Sequence, residues 1–351
     1  ASDVYKRQGL DSMYWPIVWA DTLREHAATA PAAGGREVHR LVACCDLGVA
    51  PHAVQTEIGM TSEEYAAKYG ARLYHDIDEM VADKSIGAAV VSTRNTRMAE
   101  FAGRLIDKGV PCYIAKPIAA APADALLLAH KAEKAGVPCT AGITTRFFAH
   151  YQAVHRAIRE GRIGRVVSMD VMHQHGTYAA WPAGTWYREP AEGGVPYWLG
   201  WYPLETVRWL AASPIAGVMA WGSNVTNAVR GEHEVIHACG STQNGVSWSC
   251  RIYFAAGPKW RFPSHEVEVC GDKGIVRTVA DDRIRIYDDA GPRDDPVPPL
   301  PGDPTRRELL QWLNSLAAKT TWHPTLKELA HTVVACEALR RSLVSGQVQQ
   351  V

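Results

Sequence analysis

The sequence lacks several patterns that would each point to a class of protein. No apolar run approaches the ~18 residues of a membrane-spanning helix, so neither a membrane span nor a membrane partner is expected. Lysine plus arginine (37) equals aspartate plus glutamate (37), so no excess charge favours nucleic acid as a partner. The eight cysteines show no Cys-x-x-Cys or Cys/His spacing, so no metal is expected. Unpatterned cysteines in apolar runs are typical of free thiols in a reducing compartment, and we expect a cytoplasmic protein.

Phenylalanine is scarce, whereas tryptophan is abundant. The chain has five phenylalanines and 12 tryptophans, and half of the tryptophans fall between residues 181 and 221. This clustering indicates either an aromatic-rich cleft or the packing of sheets and subunits. At 351 residues and 47% hydrophobic content, the chain is long enough for two domains, each with its own core.

One stretch, residues 88–117, has the pattern of a strand–helix–strand unit. The apolar run Ala88–Ser92 predicts a buried parallel strand, and the apolar positions from Met98 to Ile106 predict a helix. Gly109 then ends the helix, and Val110–Ile114 predicts the next strand. Lys116 follows at the carboxyl end of that strand, the edge at which open α/β sheets bind ligands. The alternative is a salt-bridged surface lysine.

The rest of the chain divides into two parts with different patterns of predicted secondary structure. Before residue 120, strands alternate with helices, which predicts an α/β domain with a doubly wound parallel sheet over residues 1–120. Residues 121–351 predict a second, α+β domain with an open and mainly antiparallel sheet. Asp288–Pro304, rich in proline and aspartate, is predicted to be a surface loop. Two final helices are predicted over Thr305–Ala318 and Thr325–Ser345.

Four short motifs follow one another along the chain: Ser92-Thr93-x-Asn95, Ala115-Lys116-Pro117, Thr145-Arg146-Phe147 and Gly161-Arg162-Ile163-Gly164. In this order and spacing they resemble the S/T-T-P-N turn, the Glu-Lys-Pro, the Arg-Phe and the G-x-I-G of the Gfo/Idh/MocA-type oxidoreductases. The resemblance covers nearly the whole chain. The resemblance implies an N-terminal Rossmann domain, a C-terminal substrate and oligomerisation domain, and final helices that can pack back on the first domain.

The resemblance also implies a nicotinamide cofactor, NAD with NADP possible. The implied cofactor-binding residues are Gly9, Asp11, Ser12, Asp46, Ser92, Thr93, Asn95, Lys116 and Pro117. Asp46 matches the acidic residue that binds the ribose and would repel the 2′-phosphate of NADP. The alternative role for Asp46 is that of a turn residue that caps the following segment.

The glycine-rich loop departs from the family pattern G-x-G-x-x-G. Here the three positions are Gly9, Asp11 and Tyr14. An aspartate at the second position adds bulk and negative charge where the backbone should approach a pyrophosphate. Ala1–Gln8 also lacks the apolar strand that precedes this loop. We therefore expect that Ala1–Gln8 is not native sequence and that part of the first strand is lost or replaced.

The catalytic segment departs as well. Where the family carries D-x-G-x-H-x-x-D, this chain has Trp198, Tyr202 and Glu205 at the three functional positions. The resemblance implies catalytic roles for Lys116, Tyr202 and Glu205, with Lys116 polarising the substrate oxygen. A neighbouring cation lowers the pKa of a tyrosine, so Tyr202 is predicted to relay the proton. Alternatively, Tyr202 and Trp198 fill space in a site that has changed or lost its reaction.

Substrate contacts are predicted on the second domain. The candidates are Arg146, His175, Arg188 and Trp201. Alternation along a strand places His173 and His175 on one face, but no third metal ligand accompanies them. Arg94, in place of the family's proline, either reaches an anionic group of the cofactor or substrate or is a solvated turn residue.

These features favour an NAD(P)-dependent oxidoreductase that transfers a hydride between a sugar, cyclitol or related polyhydroxy compound and nicotinamide. Its expected partners are that small molecule and further copies of itself, as a homodimer or homotetramer. One alternative is an NAD-assisted glycoside hydrolase of the same fold. Another is a catalytically idle sugar-binding or regulatory homologue, which the altered glycine loop, Ala115 and Tyr202 all support.

Overall fold

The computed structural model describes residues 15–29, 39–48, 59–176, 188–226, 231–256 and 265–351. Short parallel strands and helices alternate in its first part. The strands are β1 (Ala43–Cys45), β2 (Arg72–Tyr74), β3 (Ala89–Val91), β4 (Cys112–Ile114) and β5 (Cys139–Ala141). The helices are α1 (Trp15–Thr29), α2 (Ser62–Tyr69), α3 (Ile77–Ala82), α4 (Asn95–Asp107) and α5 (Pro122–Ala135). Strand β1 pairs in parallel with β2, and β3, β4 and β5 form a second parallel sheet in that order.

The strand–helix–strand unit folds as its pattern predicts. Met98, Phe101 and Leu105 are buried on one face of α4. The chain leaves this helix through Gly109, whose φ of 75° lies in the left-handed region that favours glycine. Strand β4 then runs through the core, and Lys116 follows at its carboxyl end.

The two parallel sheets leave a gap at the centre of the doubly wound order. Within the described residues, β1 pairs only with β2, and β3 pairs only with β4. In a doubly wound sheet of six strands, the first strand of the chain lies between these two positions. The predicted replacement of that strand at Ala1–Gln8 lies outside the described residues.

The second part is built on a nine-stranded sheet. Its strands are β6 (Val166–Gly176), β7 (Ile215–Ser223), β8 (Val235–Thr242), β9 (Ser247–Ala256), β10 (His265–Gly271), β11 (Ile275–Ala280), β12 (Arg283–Asp288), β13 (Gly291–Pro296) and β14 (Gln349–Gln350). They are ordered β13-β12-β11-β10-β6-β9-β8-β7-β14. All neighbours are antiparallel except β6 and β9. The predicted fold class is confirmed.

Strand β13 corrects the prediction of a surface loop over Asp288–Pro304. Gly291–Pro296 pairs antiparallel with β12, and an ion pair between Arg285 and Asp294 (Nη2–Oδ2, 2.9 Å) ties the two strands together. Because β13 lies at the edge of the sheet, its prolines need not donate hydrogen bonds to a neighbour.

Further helices join the two parts. They are α6 (Ala149–Arg159), α7 (Gly194–Trp198), α8 (Trp201–Leu210), α9 (Pro304–Ala317) and α10 (Leu326–Ser345), with 3₁₀ turns at Thr144–Phe147 and Pro190–Glu192. Trp312 of α9 packs on Tyr113 of β4 with ring centroids 5.6 Å apart. Thr140 Oγ1, in β5, donates to the carbonyl of Pro324 at 2.8 Å. The final helices thus pack back on the first domain, and β5 extends the parallel sheet past residue 120. None of the helices in the described ranges is long and apolar enough to cross a membrane.

Candidate active site

Lys116 is buried in an aromatic setting at the carboxyl end of β4. Its side chain is 7% exposed, and Nζ donates to the carbonyl of Trp198 at 2.7 Å. The ammonium also lies 5.1 Å from the Trp198 ring centroid and 4.7 Å from that of Tyr202. Among the residues that the structure describes, no carboxylate pairs with Lys116. Burial lowers the pKa of Lys116 to about 7, so its proton exchanges near neutral pH.

Tyr202 lies beside Lys116, as the sequence predicts, but its acidity is the reverse of the expectation. Burial raises the pKa of the Tyr202 hydroxyl, with a further contribution from Glu308. A neighbouring ammonium would lower this pKa, but loss of solvent around the partly buried phenol outweighs that effect here. The Tyr202 hydroxyl is therefore protonated throughout the neutral range and can donate a hydrogen bond.

Two histidines follow from the Tyr202 ring, the first in contact with it and the second in contact with the first. His173 of β6 stacks on Tyr202 with centroids 4.5 Å apart and planes at 14°. His265 of β10 meets His173 edge to face at 4.4 Å. Burial lowers the pKa of both histidines, that of His265 to about 3, and neighbouring histidines add to the effect: His265 acts on His173, and His150 acts on His265. Both imidazoles are therefore neutral at pH 7.

The structure brings Glu205 and Arg146 together, in a buried ion-pair cluster. Glu205 is fully buried and accepts hydrogen bonds from Arg146, from Arg208 (2.7 and 2.8 Å) and from Thr332 Oγ1 (2.9 Å). Burial acts to raise the pKa of Glu205, but the two guanidinium groups outweigh it and the pKa is lowered. Arg208 also reaches Glu328 at 3.1 Å. This cluster, Arg146–Glu205–Arg208–Thr332, consumes the hydrogen-bonding capacity of Glu205, which favours a role in holding α8 and its Tyr202 in place.

The other predicted substrate residues are spread around this centre. Trp201 is fully buried and presents no surface to a ligand in this structure. His175 lies farther along β6, edge-on to Phe254 at 5.4 Å. Arg188 is half-buried at the start of the segment that leads to α7. Their substrate roles stay predictions.

Asp46 lies at the carboxyl end of β1, where a ribose-binding residue is expected. Its Oδ1 accepts from the Gly48 amide at 2.9 Å, and its Oδ2 accepts from the Ser62 hydroxyl. Asp46 therefore makes the contacts expected of a turn residue that caps the following segment, its alternative role. A carboxylate has about four lone-pair positions, so two more donors can still be accommodated. Gly9, Asp11 and Ser12, predicted to bind the cofactor, lie outside the described residues.

The turn between β3 and α4 carries the remaining predicted cofactor residues. Ser92 is exposed, Thr93 is half-buried, and Asn95 is buried. The Asn95 amide donates to the carbonyl of Glu192 at 2.7 Å. Pro117, also predicted, is buried.

This edge of the sheet fits a polar ligand such as a nicotinamide group. Three buried polar atoms there, Asn95 Oδ1, Thr144 Oγ1 and Thr145 Oγ1, have no hydrogen-bond partner within the described ranges. Leaving a buried donor or acceptor unpaired costs about 1–3 kcal/mol, so a ligand that pairs with them is favoured. Asn95, Thr144 and Thr145 would hold the nicotinamide half, and Asp46 the adenosine ribose.

Sequence reasoning missed Glu192, which joins the two domains. The residue is 1% exposed, and its carboxylate caps α4 by accepting from the Thr96 amide (3.2 Å) and the Thr96 hydroxyl (2.9 Å). Arg94 forms an ion pair with Glu189 of the same segment at 3.0 Å. The only sequence signal was the glycine turn that follows Glu192. Arg94 and Thr96 therefore bind the second domain.

Glu308 of α9 was also missed. It is 1% exposed, its Oε1 accepts from the Ile143 amide at 2.6 Å, and its other oxygen is buried near the Tyr113 hydroxyl. Burial raises the pKa of Glu308 to about 8. Glu308 is therefore a neutral carboxylic acid at pH 7.

Replacing Glu308 with glutamine is expected to stabilise the protein increasingly as pH rises. The unfolded chain ionises Glu308 near pH 4.3, whereas the folded protein keeps its proton to about pH 8. Wild-type stability therefore falls with rising pH across this window, and Glu308→Gln removes that slope. By pH 8 the variant should gain about 3 kcal/mol or more in denaturant unfolding. The exposed Glu63→Gln is the control, and equal slopes in all three proteins would contradict the assignment.

Comparison with known proteins follows the same division of the chain. Residues 38–143 match the model of an oxidoreductase family with an NAD-binding Rossmann fold, and residues 151–277 match that of the GFO/IDH/MocA C-terminal domain. The chain belongs to the Gfo/Idh/MocA family. The resemblance read from the four short motifs is thus confirmed.

Members of the Gfo/Idh/MocA family with named activities are similar to this chain. D-apiose dehydrogenase of Paraburkholderia graminis is 28% identical over 231 residues, 66% of this chain and 60% of the relative. Inositol 2-dehydrogenase 2 of Saccharopolyspora erythraea is 24% identical over 203 residues, 57% of each. The matches thus span about three fifths of these relatives' length. The aldose-aldose oxidoreductase of Caulobacter crescentus, solved with glycerol, has a TM-score of 0.75 at 19% identity, covering 94% of this chain and 95% of that one.

Proposed function

We propose that this protein is a nicotinamide-dependent oxidoreductase acting on a CH–OH group of a sugar, cyclitol or related polyhydroxy compound. The observation that carries the proposal is Lys116, a buried ammonium without a carboxylate partner in the described part of the chain, at the ligand-binding edge of the parallel sheet. The names of the family relatives, a D-apiose dehydrogenase and an inositol dehydrogenase, support the substrate class.

A bound nicotinamide would supply the hydride acceptor or donor. Lys116 would then donate a hydrogen bond to the substrate oxygen and stabilise the negative charge that develops there. Trp198 and Tyr202 exclude water from the ammonium, which strengthens this interaction. The Arg146–Glu205–Arg208–Thr332 cluster holds α8, and with it Tyr202, at a fixed distance from Lys116.

NAD is the proposed cofactor rather than NADP. A 2′-phosphate beside the Asp46 carboxylate would meet like charge at the end of β1, whereas a ribose hydroxyl could donate to it. A cytoplasmic location and a homo-oligomer stay proposals. The exposed face of the nine-stranded sheet, on which Trp221 is 56% exposed, supports the latter.

A catalytically idle homologue is the second candidate. Lys116 is almost completely buried and donates one of its three N–H groups to the Trp198 carbonyl rather than to a ligand. In addition, Ala115 and Tyr202 replace residues that the family uses around the reaction centre. Such a protein would bind the sugar, or the sugar and the cofactor, without turnover.

Cofactor binding and turnover test the proposal in two steps. NADH should bind with a change in its fluorescence, and more tightly than NADPH, with Asp46→Ala reducing the difference. A panel of aldoses, cyclitols and anhydro-sugars should then yield NADH from NAD with at least one member. Absence of binding to both cofactors would overturn the proposal. Binding of cofactor and sugar without turnover by any panel member would instead support the idle homologue.

A further inference from the structure

The proposed reaction needs a group that accepts the substrate's hydroxyl proton, and this inference rests on that proposed function. Gfo/Idh/MocA members carry a histidine for this purpose at the position of Tyr202 in this chain. Tyr202 holds its own proton through the neutral range because loss of solvent around its hydroxyl raises the pKa. A phenol in that state donates well but accepts a proton poorly.

His173 contacts the ring of Tyr202 from a different element of the fold. It lies in β6, is 3% exposed, and stacks on the ring of Tyr202 at 4.5 Å. The Lys116 ammonium contacts that same ring at 4.7 Å. Lys116 and His173 thus both contact the Tyr202 ring, and the ammonium is close enough to the imidazole to help lower its pKa.

Neither ring nitrogen of His173 has a hydrogen bond to a residue in the described part of the chain, and the ring is almost completely buried. The charged and titratable groups that face it are Lys116 from the end of β4, Tyr202 from α8, His265 from β10 and His175 from its own strand. None of these groups is a carboxylate that would keep His173 protonated. Its imidazole is therefore neutral, and one ring nitrogen carries a lone pair that can accept a proton.

We propose that His173 is the proton acceptor of the reaction, in place of the histidine that α8 lacks. In the oxidation direction, the carbinol carbon loses a hydride to the nicotinamide, and the hydroxyl proton passes to a His173 nitrogen. The carbinol becomes a carbonyl, NAD becomes NADH, and the imidazole becomes an imidazolium. Lys116 keeps its proton and stabilises the oxygen, and Tyr202 holds both groups in position through its ring.

Two phenylalanine variants separate the roles of His173 and Tyr202. His173→Phe keeps a stacked ring but removes the nitrogens, and kcat should fall by about 10²–10⁴-fold. Tyr202→Phe keeps the ring that both Lys116 and His173 contact, and kcat should fall by less than about 10-fold. The acid limb of the wild-type kcat profile, below the ordinary histidine range, should disappear in His173→Phe. A structural role alone would not remove that limb.

His155→Gln is the matched control, because His155 also stacks on an aromatic ring (Trp209, 4.4 Å) but lies outside the site. Melting temperatures of all variants, and His173→Gln as a second replacement, identify any loss that is due to unfolding. If His173→Phe folds and retains more than a tenth of wild-type kcat, the inference is overturned. Absence of cofactor binding in the wild type would instead overturn the proposed function itself.

A readout that does not need turnover completes the test. In the protein labelled with ¹⁵N-histidine, addition of a polyol without cofactor should shift a His173 ring nitrogen, because a substrate hydroxyl donates to it. The His155 signal should stay unchanged. A polyol that is turned over but leaves the His173 nitrogens unaffected would count against direct contact.

Discussion

Replacing Lys116 with methionine is expected to abolish most turnover and to stabilise the fold. Loss of a positioned donor to a developing oxyanion typically costs about 10²–10³-fold in kcat, and the same loss is expected here. Cofactor binding at the distant Asp46 end should survive. The wild-type lysine is charged in a buried, aromatic setting without a carboxylate partner in the described ranges, so an uncharged side chain of similar length removes an unfavourable burial.

The pKa of Lys116 determines how the stability gained by Lys116→Met should vary with pH. The pKa of Lys116 is about 7 in the folded protein and about 10.4 in an unfolded chain, so between these values the unfolded state binds more protons. Wild-type stability should therefore rise with pH from 7 towards 10. Lys116→Met lacks that slope, and its gain should be largest at or below pH 7, at about 3–5 kcal/mol in denaturant unfolding.

Lys131→Met is the matched control. Lys131 is partly exposed and pairs with Asp107 at 2.6 Å on the surface, so the same substitution should change neither turnover nor the pH slope. Undiminished turnover in Lys116→Met would remove Lys116 from the mechanism. A Lys116→Met protein with the wild-type pH slope would show that the ammonium is not desolvated.

Replacing Glu205 with alanine should cost about 3–5 kcal/mol of stability, because it leaves Arg146 and Arg208 buried beside each other without their shared carboxylate. Thr332 also loses its acceptor. Because α8 carries Tyr202, the displacement of this helix should lower kcat as well. Chemical denaturation measures the first effect, and steady-state kinetics the second.

Glu189→Ala provides the comparison for an exposed ion pair. Glu189 is exposed and its partner Arg94 is half-buried, and the expected change is below about 1 kcal/mol. If Glu205→Ala instead keeps wild-type stability and loses only kcat, Glu205 would have the catalytic role that the family motif implies. The two outcomes thus decide between positioning and catalysis.

The local elements were the predictable part of the fold because their signals lie within a few residues. Helix α5 begins at Pro122 and ends before Gly136, and both residues mark helix ends through their own backbone preferences. Helix α10 begins at a capping box formed by Thr325 and Glu328. Strand β13 was missed because its pairing with β12, rather than its proline-rich composition, makes it a strand.

The position of Lys116 was also predictable, because a strand–helix–strand pattern places the residue after its second strand at the ligand-binding edge. The pKa of its amine was not predictable. The carbonyl of Trp198, 82 residues away, takes its hydrogen bond, and the ring of Tyr202 covers it. The proximity of these groups sets the pKa of the amine, and no spacing in the sequence encodes it.

The sequence by itself determined the family, the two kinds of sheet and the lysine at the edge of the first one. Those depend on periodicity, on glycine and proline, and on short motifs. Only the tertiary structure decided that Glu205 belongs to a buried ion-pair cluster and that His173 stacks on Tyr202. It also decided that Glu308 stays protonated beside the Ile143 amide, 165 residues away. Burial and long-range contact govern all three, because desolvation and neighbouring charge act through space rather than along the chain.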